Sequence, residues 1–163
     1  MMLRFRPLCL ISVAGLLVLF ACDPLAREAN INQNKYIDDY LTKQYADHTV
    51  YRDGSICRVV LQEGASGAPV IERGDSASFY YAAFIFDQKG PSTQFALDSA
   101  TFRIGSGDLV PGLDKGLPGT RLGEEVLIVF PAEDGYGTRQ TGLVPENSAL
   151  LFDIIVTAIK KNP

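Results

Sequence analysis

Apolar positions recur with two different periods along this chain, and the two fall in separate stretches. Between Asn34 and Ala46 they come at Ile37, Tyr40, Leu41 and Tyr45, with Asp38 and Asp39 on the opposite side. That spacing predicts one short amphipathic helix docked on the rest of the protein. Further on the period drops to two. Ser55–Leu61 is β-branched and apolar. Ser76–Phe86 sets Phe79, Tyr81, Ala83 and Ile85 on one face and Tyr80, Ala82, Phe84 and Phe86 on the other. Thr101–Ile104 is short, Glu125–Phe130 alternates through Val126, Ile128 and Phe130, and Leu150–Ile159 groups Leu150, Phe152, Ile154 and Val156. These stretches predict strands.

The intervening segments are rich in Gly and Pro. Ile104-Gly105-Ser106-Gly107-Asp108 reads as a tight turn. Pro111–Leu117 reads as a short helix, with Pro in its first turn and Pro118-Gly119 beyond its end. Strands outnumber helices, no internal repeat is present and no βαβ alternation occurs. The predicted class is therefore α+β with an antiparallel sheet.

The first 21 residues follow a different pattern. Arg4 and Arg6 precede a 13-residue apolar run, Leu8–Phe20. That is short of the roughly 20 residues that span a bilayer, and it matches the core of an export signal. The run ends in Leu19-Phe20-Ala21-Cys22, similar to a bacterial lipobox, in which the cysteine is acylated and becomes the mature N-terminus. The competing readings are an ordinary signal peptide with a chance cysteine, or an uncleaved anchor. The domain organisation expected is a lipoprotein signal at 1–21, a tether at 22–33, a helical extension at 34–54 and one folded domain at 55–163. Of the other cysteines, Cys9 leaves with the signal. Cys57 then lacks a partner and is expected to be a buried small hydrophobe.

Composition narrows the function. The leader's only charges are its two arginines, so without it 15 Lys+Arg become 13 against 19 Asp+Glu, a net −6. A net acidic chain with no basic run is a poor partner for nucleic acid. The lone histidine, His48, excludes multi-histidine metal sites and is expected at the surface after the helix. No metal and no cofactor are predicted. Gly105-Ser106-Gly107 begins like a dinucleotide fingerprint, but Val110 stands where the third glycine belongs. Gly107 and Gly112 have phosphate-loop spacing, but Leu113 replaces the lysine. Arg73-Gly74-Asp75 reads as a turn entering the strand at Ser76.

One ordered series of short motifs remains. Gly74-Asp75 precedes Ser78-Phe79-Tyr80-Tyr81. Leu97-Asp98-Ser99 follows, then the run from Phe102 through Gly105-Ser106-Gly107-Asp108-Leu109-Val110-Pro111-Gly112-Leu113 to Leu117. After these come Leu122-Gly123-Glu124, Phe130-Pro131, Tyr136-Gly137 and Val144-Pro145 through Phe152. Over Gly74–Ile159 this series resembles the FKBP-type peptidyl-prolyl isomerase family. The preceding helix and the strand at 55–61 look like the extension of its exported bacterial members. The resemblance implies a five-stranded antiparallel sheet wrapped around the short helix, with the 34–46 helix outside it. It implies a proline pocket built from Tyr81, Asp98, Leu109, Val110, Tyr136 and Phe152, with Leu113 as a floor where the family usually has Trp.

These residue types suit the implied reaction. The barrier to X-Pro rotation is the loss of amide resonance, and the trans and cis forms differ little in energy. No nucleophile is needed; the catalyst must hold the twisted amide better than the planar one. An apolar cradle of Leu109, Val110, Leu113 and Phe152 would accept the ring and desolvate the carbonyl. The Val110 N–H and the Tyr136 hydroxyl would each fix a substrate carbonyl. Asp98 would orient Tyr81 and Tyr136 and act on the rotating carbonyl. Each tenfold in rate asks for about 1.4 kcal/mol of preferential binding. The expected role is folding of exported proteins, with proline-containing polypeptides as substrates, by a monomer. The membrane would be reached through lipid on Cys22, in the cell envelope and with the outer membrane favoured. The alternative is a peptide-binding module or chaperone of the same fold with little catalysis.

Overall fold

The computed structural model describes residues 24–162, so the expected export signal at 1–21 and the expected acylation site, Cys22, lie outside the described residues. Three strands are apolar on both faces: β2 (Ile56–Gln62), β5 (Glu125–Phe130) and β6 (Ala149–Lys160). Residues of this kind need cover on both sides of a sheet, and they find it. Ile56, Val126, Ile128, Phe130, Leu150 and Phe152 point into one buried cluster beneath a short helix, α2 (Pro111–Gly116). Cys57, Val59, Leu127, Val129 and Leu151 point into another, closed by Ile37 and Leu41 of α1 (Pro24–Gln44).

The remaining strands are β1 (Thr49–Asp53), β3 (Ser76–Asp87) and β4 (Gly90–Arg103). The sheet runs β1-β2-β5-β6-β3-β4 and is antiparallel throughout. This is the predicted α+β class with a short helix against an antiparallel sheet, but with six strands. The extra strand, β1, is an edge with four of five residues exposed, so no apolar alternation marks it. The other edge, β4, is 14 residues long, far longer than the predicted Thr101–Ile104, because its first half is largely exposed and polar. Edge strands bury too little for periodicity to reveal them.

The helix also differs from its predicted bounds. It begins at Pro24 and ends at Gln44, so most of the segment read as a tether is helical. Ala26, Glu28 and Ala29 favour helix without adding an apolar stripe, and Pro suits a first turn. As expected, Ile37 and Leu41 are buried, Tyr40 and Tyr45 are half-buried, and His48 is exposed just after the helix. Cys57 is buried as predicted. The Arg52 guanidinium donates to its Sγ at 3.0 Å, and burial pushes the thiol pKa up.

Candidate functional site

The inner face of the sheet and α2 enclose an apolar cup of about 230 Å³. Its side wall comes from Phe79 and Tyr81 of β3 and from Phe95, Ala96 and Phe102 of β4. Phe152 of β6 is the central ring. It stacks on Phe130 at 5.8 Å and 15°, meets Phe95 edge-on at 6.0 Å, and lies 6.2 Å from Tyr81. Such offset and edge contacts hold aromatic walls rigid. Leu113 of α2, 4% exposed, also lines the cup.

Local sequence explains how α2 comes close enough to serve. A Cβ on Gly112 would lie 2.3 Å from the Phe130 ring, and one on Gly116 would lie 2.7 Å from Ile128 Cγ2. Only glycine permits this approach of helix to sheet. The far end of α2 is held by Arg58, a buried side chain of β2. It donates to the carbonyls of Gly116, at 3.1 Å, and Pro118, and its guanidinium lies 4.6 Å from the Tyr51 ring centre.

The rim is set by the chain before α2. The Asp114 carboxylate, buried, accepts the N–H groups of Gly105 and Gly107 at 3.0 Å each. Those glycines hold φ of +81° and +85°, values other residues rarely adopt. The turn then delivers Asp108, Leu109 and Val110 to the pocket. Val110 is extended, and its carbonyl accepts from Leu113 and Asp114 N–H. Its own N–H has no acceptor among the described residues.

Tyr136 completes the rim from the segment joining β5 to β6. Burial, and secondarily Tyr81 nearby, raises its pKa, so it stays a neutral O–H donor at physiological pH. No other described residue hydrogen-bonds the Tyr136 or Tyr81 hydroxyl.

Six of the seven predicted pocket residues therefore meet in one cup: Tyr81, Leu109, Val110, Leu113, Tyr136 and Phe152. Asp98 does not line it. It pairs across from Tyr81 in the β3–β4 register, yet it is exposed and its Oδ1 accepts the N–H of Ser99 at 2.7 Å. The place expected for Leu97-Asp98 is held by Phe95-Ala96. The register is unbroken from Ser76↔Arg103 through Tyr81↔Asp98 to Ala83↔Ala96 and shifts only beyond that pair, so Phe95 falls at the irregularity, which residue spacing alone does not reveal. Phe79, Phe102 and Asp108 were also not predicted as pocket residues, although all three lie within the quoted motifs.

A larger cleft, about 630 Å³, lies between α1 and the β3–β4 turn. It is open and lined mostly by polar ends such as Lys35, Lys43, Gln88 and Lys89. The aromatic cup, although smaller, has the shape and chemistry of a binding site.

The cup is thus lined mainly by apolar and aromatic side chains, with the Val110 N–H and the Tyr136 hydroxyl unengaged at its rim. Residues 68–157 match the family described as FKBP-type peptidyl-prolyl cis-trans isomerase. The chain belongs to that family. FK506-binding protein 1 of Yarrowia lipolytica is 33% identical over 101 residues, 61% of this chain and 93% of that protein. FK506-binding protein 1 of Aspergillus oryzae is 29% identical over 108 residues, 60% of this chain and 91% of that one. Among solved structures, a peptidyl-prolyl cis-trans isomerase from Pseudomonas syringae has a TM-score of 0.66 at 19% identity, covering 83% of this chain and 96% of that chain. FkpA from Escherichia coli has a TM-score of 0.62 at 20% identity, covering 86% of this chain and 65% of that chain. At these identities the structural matches speak to the fold.

Proposed function

We propose that this isomerase twists X-Pro amides in the aromatic cup, acting on exported polypeptides from a lipid anchor at Cys22. The observation that carries the mechanism is the pairing of a ring-sized apolar cup with two unengaged donors on its rim. The proline ring enters between Leu109, Leu113 and Phe152. The walls exclude water from the amide, which favours the twisted, less polar form over the planar one. The Val110 N–H holds one substrate carbonyl and the Tyr136 hydroxyl another. Tyr81 closes the wall against Phe152. Asp98 has no direct part, since it faces solvent.

The isomerisation rate of a proline tetrapeptide, with and without the protein, tests this reading. Acceleration that disappears when the cup is blocked by Leu109→Trp is expected; tight peptide binding without acceleration would instead identify a binding module. The aliphatic floor at Leu113 favours that second reading to a degree, because it offers less ring contact than an aromatic floor.

The anchor and the cell-envelope location rest on Leu19-Phe20-Ala21-Cys22 after the apolar run. Labelled fatty acid should incorporate into the wild-type chain and not into Cys22→Ser. Equal labelling of both would remove the lipoprotein reading. The protein is proposed to act as a monomer.

A further inference from the structure

The segment between β5 and β6 carries Tyr136, yet residues 138–143 of it are all exposed to solvent. Within it Asp134 accepts Ser55 Oγ and Lys115 Nζ, and Val144 is buried in the inner core. Its two ends, Ala132 and Asn147, are both held by one side chain from outside the matched residues 68–157. Gln33 of α1 is 6% exposed. Its Oε1 accepts the Ala132 N–H at 2.8 Å, and its Nε2 donates to the Asn147 carbonyl at 2.7 Å. The reversed amide would set donor against donor and acceptor against acceptor, so a single orientation satisfies both ends.

Hydrogen bonds continue from these ends to the residue after Tyr136. The Asn147 N–H donates to the Gly137 carbonyl at 2.8 Å, and the Gly137 N–H donates to the Ala132 carbonyl at 2.8 Å. Asn147 has a φ of 55°, a left-handed conformation that asparagine tolerates better than most residues. Ile37 and Leu41, one and two turns further along α1, are each 1% exposed in the outer core. The element that carries Gln33 is therefore itself anchored.

We infer that Gln33 is a positioning residue: its amide ties together the two ends of the Tyr136 loop and so sets the hydroxyl over the proline cup. This makes α1 part of the catalytic apparatus. The inference rests on the reading that Tyr136 contacts substrate. It differs from a purely structural role in one respect: the effect of Gln33 must pass through the Tyr136 hydroxyl.

The test is a double-mutant cycle in the full chain, read by proline-tetrapeptide isomerisation, with amide hydrogen exchange as a second measurement. Gln33→Ala should lower kcat/KM about two- to tenfold, the scale of one or two hydrogen bonds. In a Tyr136→Phe background the same change should cost less than about twofold, because coupled residues are not additive. Exchange at the Gly137 and Asn147 amides should speed up, while Leu127 and Val129 in the sheet stay protected. Gln33→Met keeps the length of the side chain and removes both hydrogen bonds without burying a charge. It should show a similar loss, and it carries the same cycle if Gln33→Ala does not fold. Unchanged exchange at Gly137 and Asn147 would overturn the tie itself. Faster exchange with full activity, or a loss that adds fully to that of Tyr136→Phe, would overturn the positioning role. A wild-type chain without isomerase activity would overturn the reading of the site and the positioning role together, while exchange would still judge the tie.

Discussion

The two faces of the central sheet bury similar strands in different ways. On the inner face a helix of six residues covers the core, and it fits because Gly112 and Gly116 let it sink onto Phe130 and Ile128. The core there is mainly aliphatic, with its aromatic rings gathered around the cup, and it stops short of closing. On the outer face a helix of 21 residues closes an aliphatic core with Ile37 and Leu41. Tyr36 and Tyr40 also pack there on Phe86, at 5.9 and 5.1 Å, and Tyr40 crosses Gly90 where a Cβ would lie 2.4 Å from its ring. The inner face trades complete packing for a binding site. The outer face closes its core under α1 and, through Gln33, steadies the loop at the rim. Stability and function should accordingly separate between the faces, and substitutions can test that.

The largest loss of stability is expected on the outer face. Leu41→Ala removes a side chain that is 1% exposed, and deletions of this kind cost about 2–5 kcal/mol. Urea denaturation followed by circular dichroism measures it. A cost under about 1 kcal/mol would mean that α1 is only loosely held.

Next comes Gly112→Ala on the inner face. Its Cβ must displace the Phe130 ring, which stacks on Phe152. Overpacking of this kind costs about 1–3 kcal/mol, less than the outer deletion, but isomerisation should fall much further than for Leu41→Ala once each folded fraction is accounted for. Equal losses of activity would erase the distinction between the faces.

Tyr136→Phe should cost less again. It deletes one hydroxyl and keeps the ring, so the barrier rises by about 0.5–1.5 kcal/mol, two- to tenfold in rate. Because burial raises the Tyr136 pKa, the rate should stay flat from neutral pH through the ordinary tyrosine range and decline only above it. A decline beginning below that range would place another titrating group in the reaction.

A smaller effect is expected from acid. Asp75 joins the start of β3 to the chain end. Its carboxylate accepts Lys161 Nζ at 2.8 Å, the Asn162 N–H at 3.0 Å and the Glu72 N–H at 2.8 Å. The Lys161 hydrogen bond, followed by the Asn162 N–H, holds its pKa well below the usual 3.8, at about 2. A carboxylate depressed on folding contributes stability above its unfolded pKa and loses it as pH falls through the folded one. The contribution should therefore be present at pH 4 and above and disappear toward about pH 2. Asp75→Asn should remove this acid step. Lys161, raised by the same pair, loses its share only above the ordinary lysine range.

The inner face was also the more legible in sequence. The run from Phe102 to Leu117 is tied by turns that need glycine, so its spacing survives folding and delivered Leu109, Val110 and Leu113 to their places. Tyr81 and Phe152 lie on strands whose alternation is strong. Much of the outer face lacked such marks. Most of the first ten residues of α1 add no apolar stripe, and β1 and half of β4 are edges with little to bury. Arg58 looked like part of a strand, because its partners are carbonyls some sixty residues away. Gln33 gave no signal at all, since a lone glutamine on a helix is ordinarily a solvated residue.

Asp98 offers the finest test of how far family spacing can be trusted. The expected Asp-Ser pair is present in sequence as Asp98-Ser99, but β4 carries Phe95 and Ala96 into the cup instead. The Asp98 carboxylate is exposed and accepts its neighbour's N–H. A charge in water acts weakly on a reacting group because solvent and salt screen it. Asp98→Ala should therefore change the isomerisation rate by less than about twofold. Phe95→Ala, which removes a ring packed edge-on against Phe152, should lower the rate several times more. The tetrapeptide assay on both variants decides the matter. If Asp98→Ala proved the more damaging, its carboxylate would have to turn into the cup when substrate binds, and the pocket would gain a charged group opposite Tyr81.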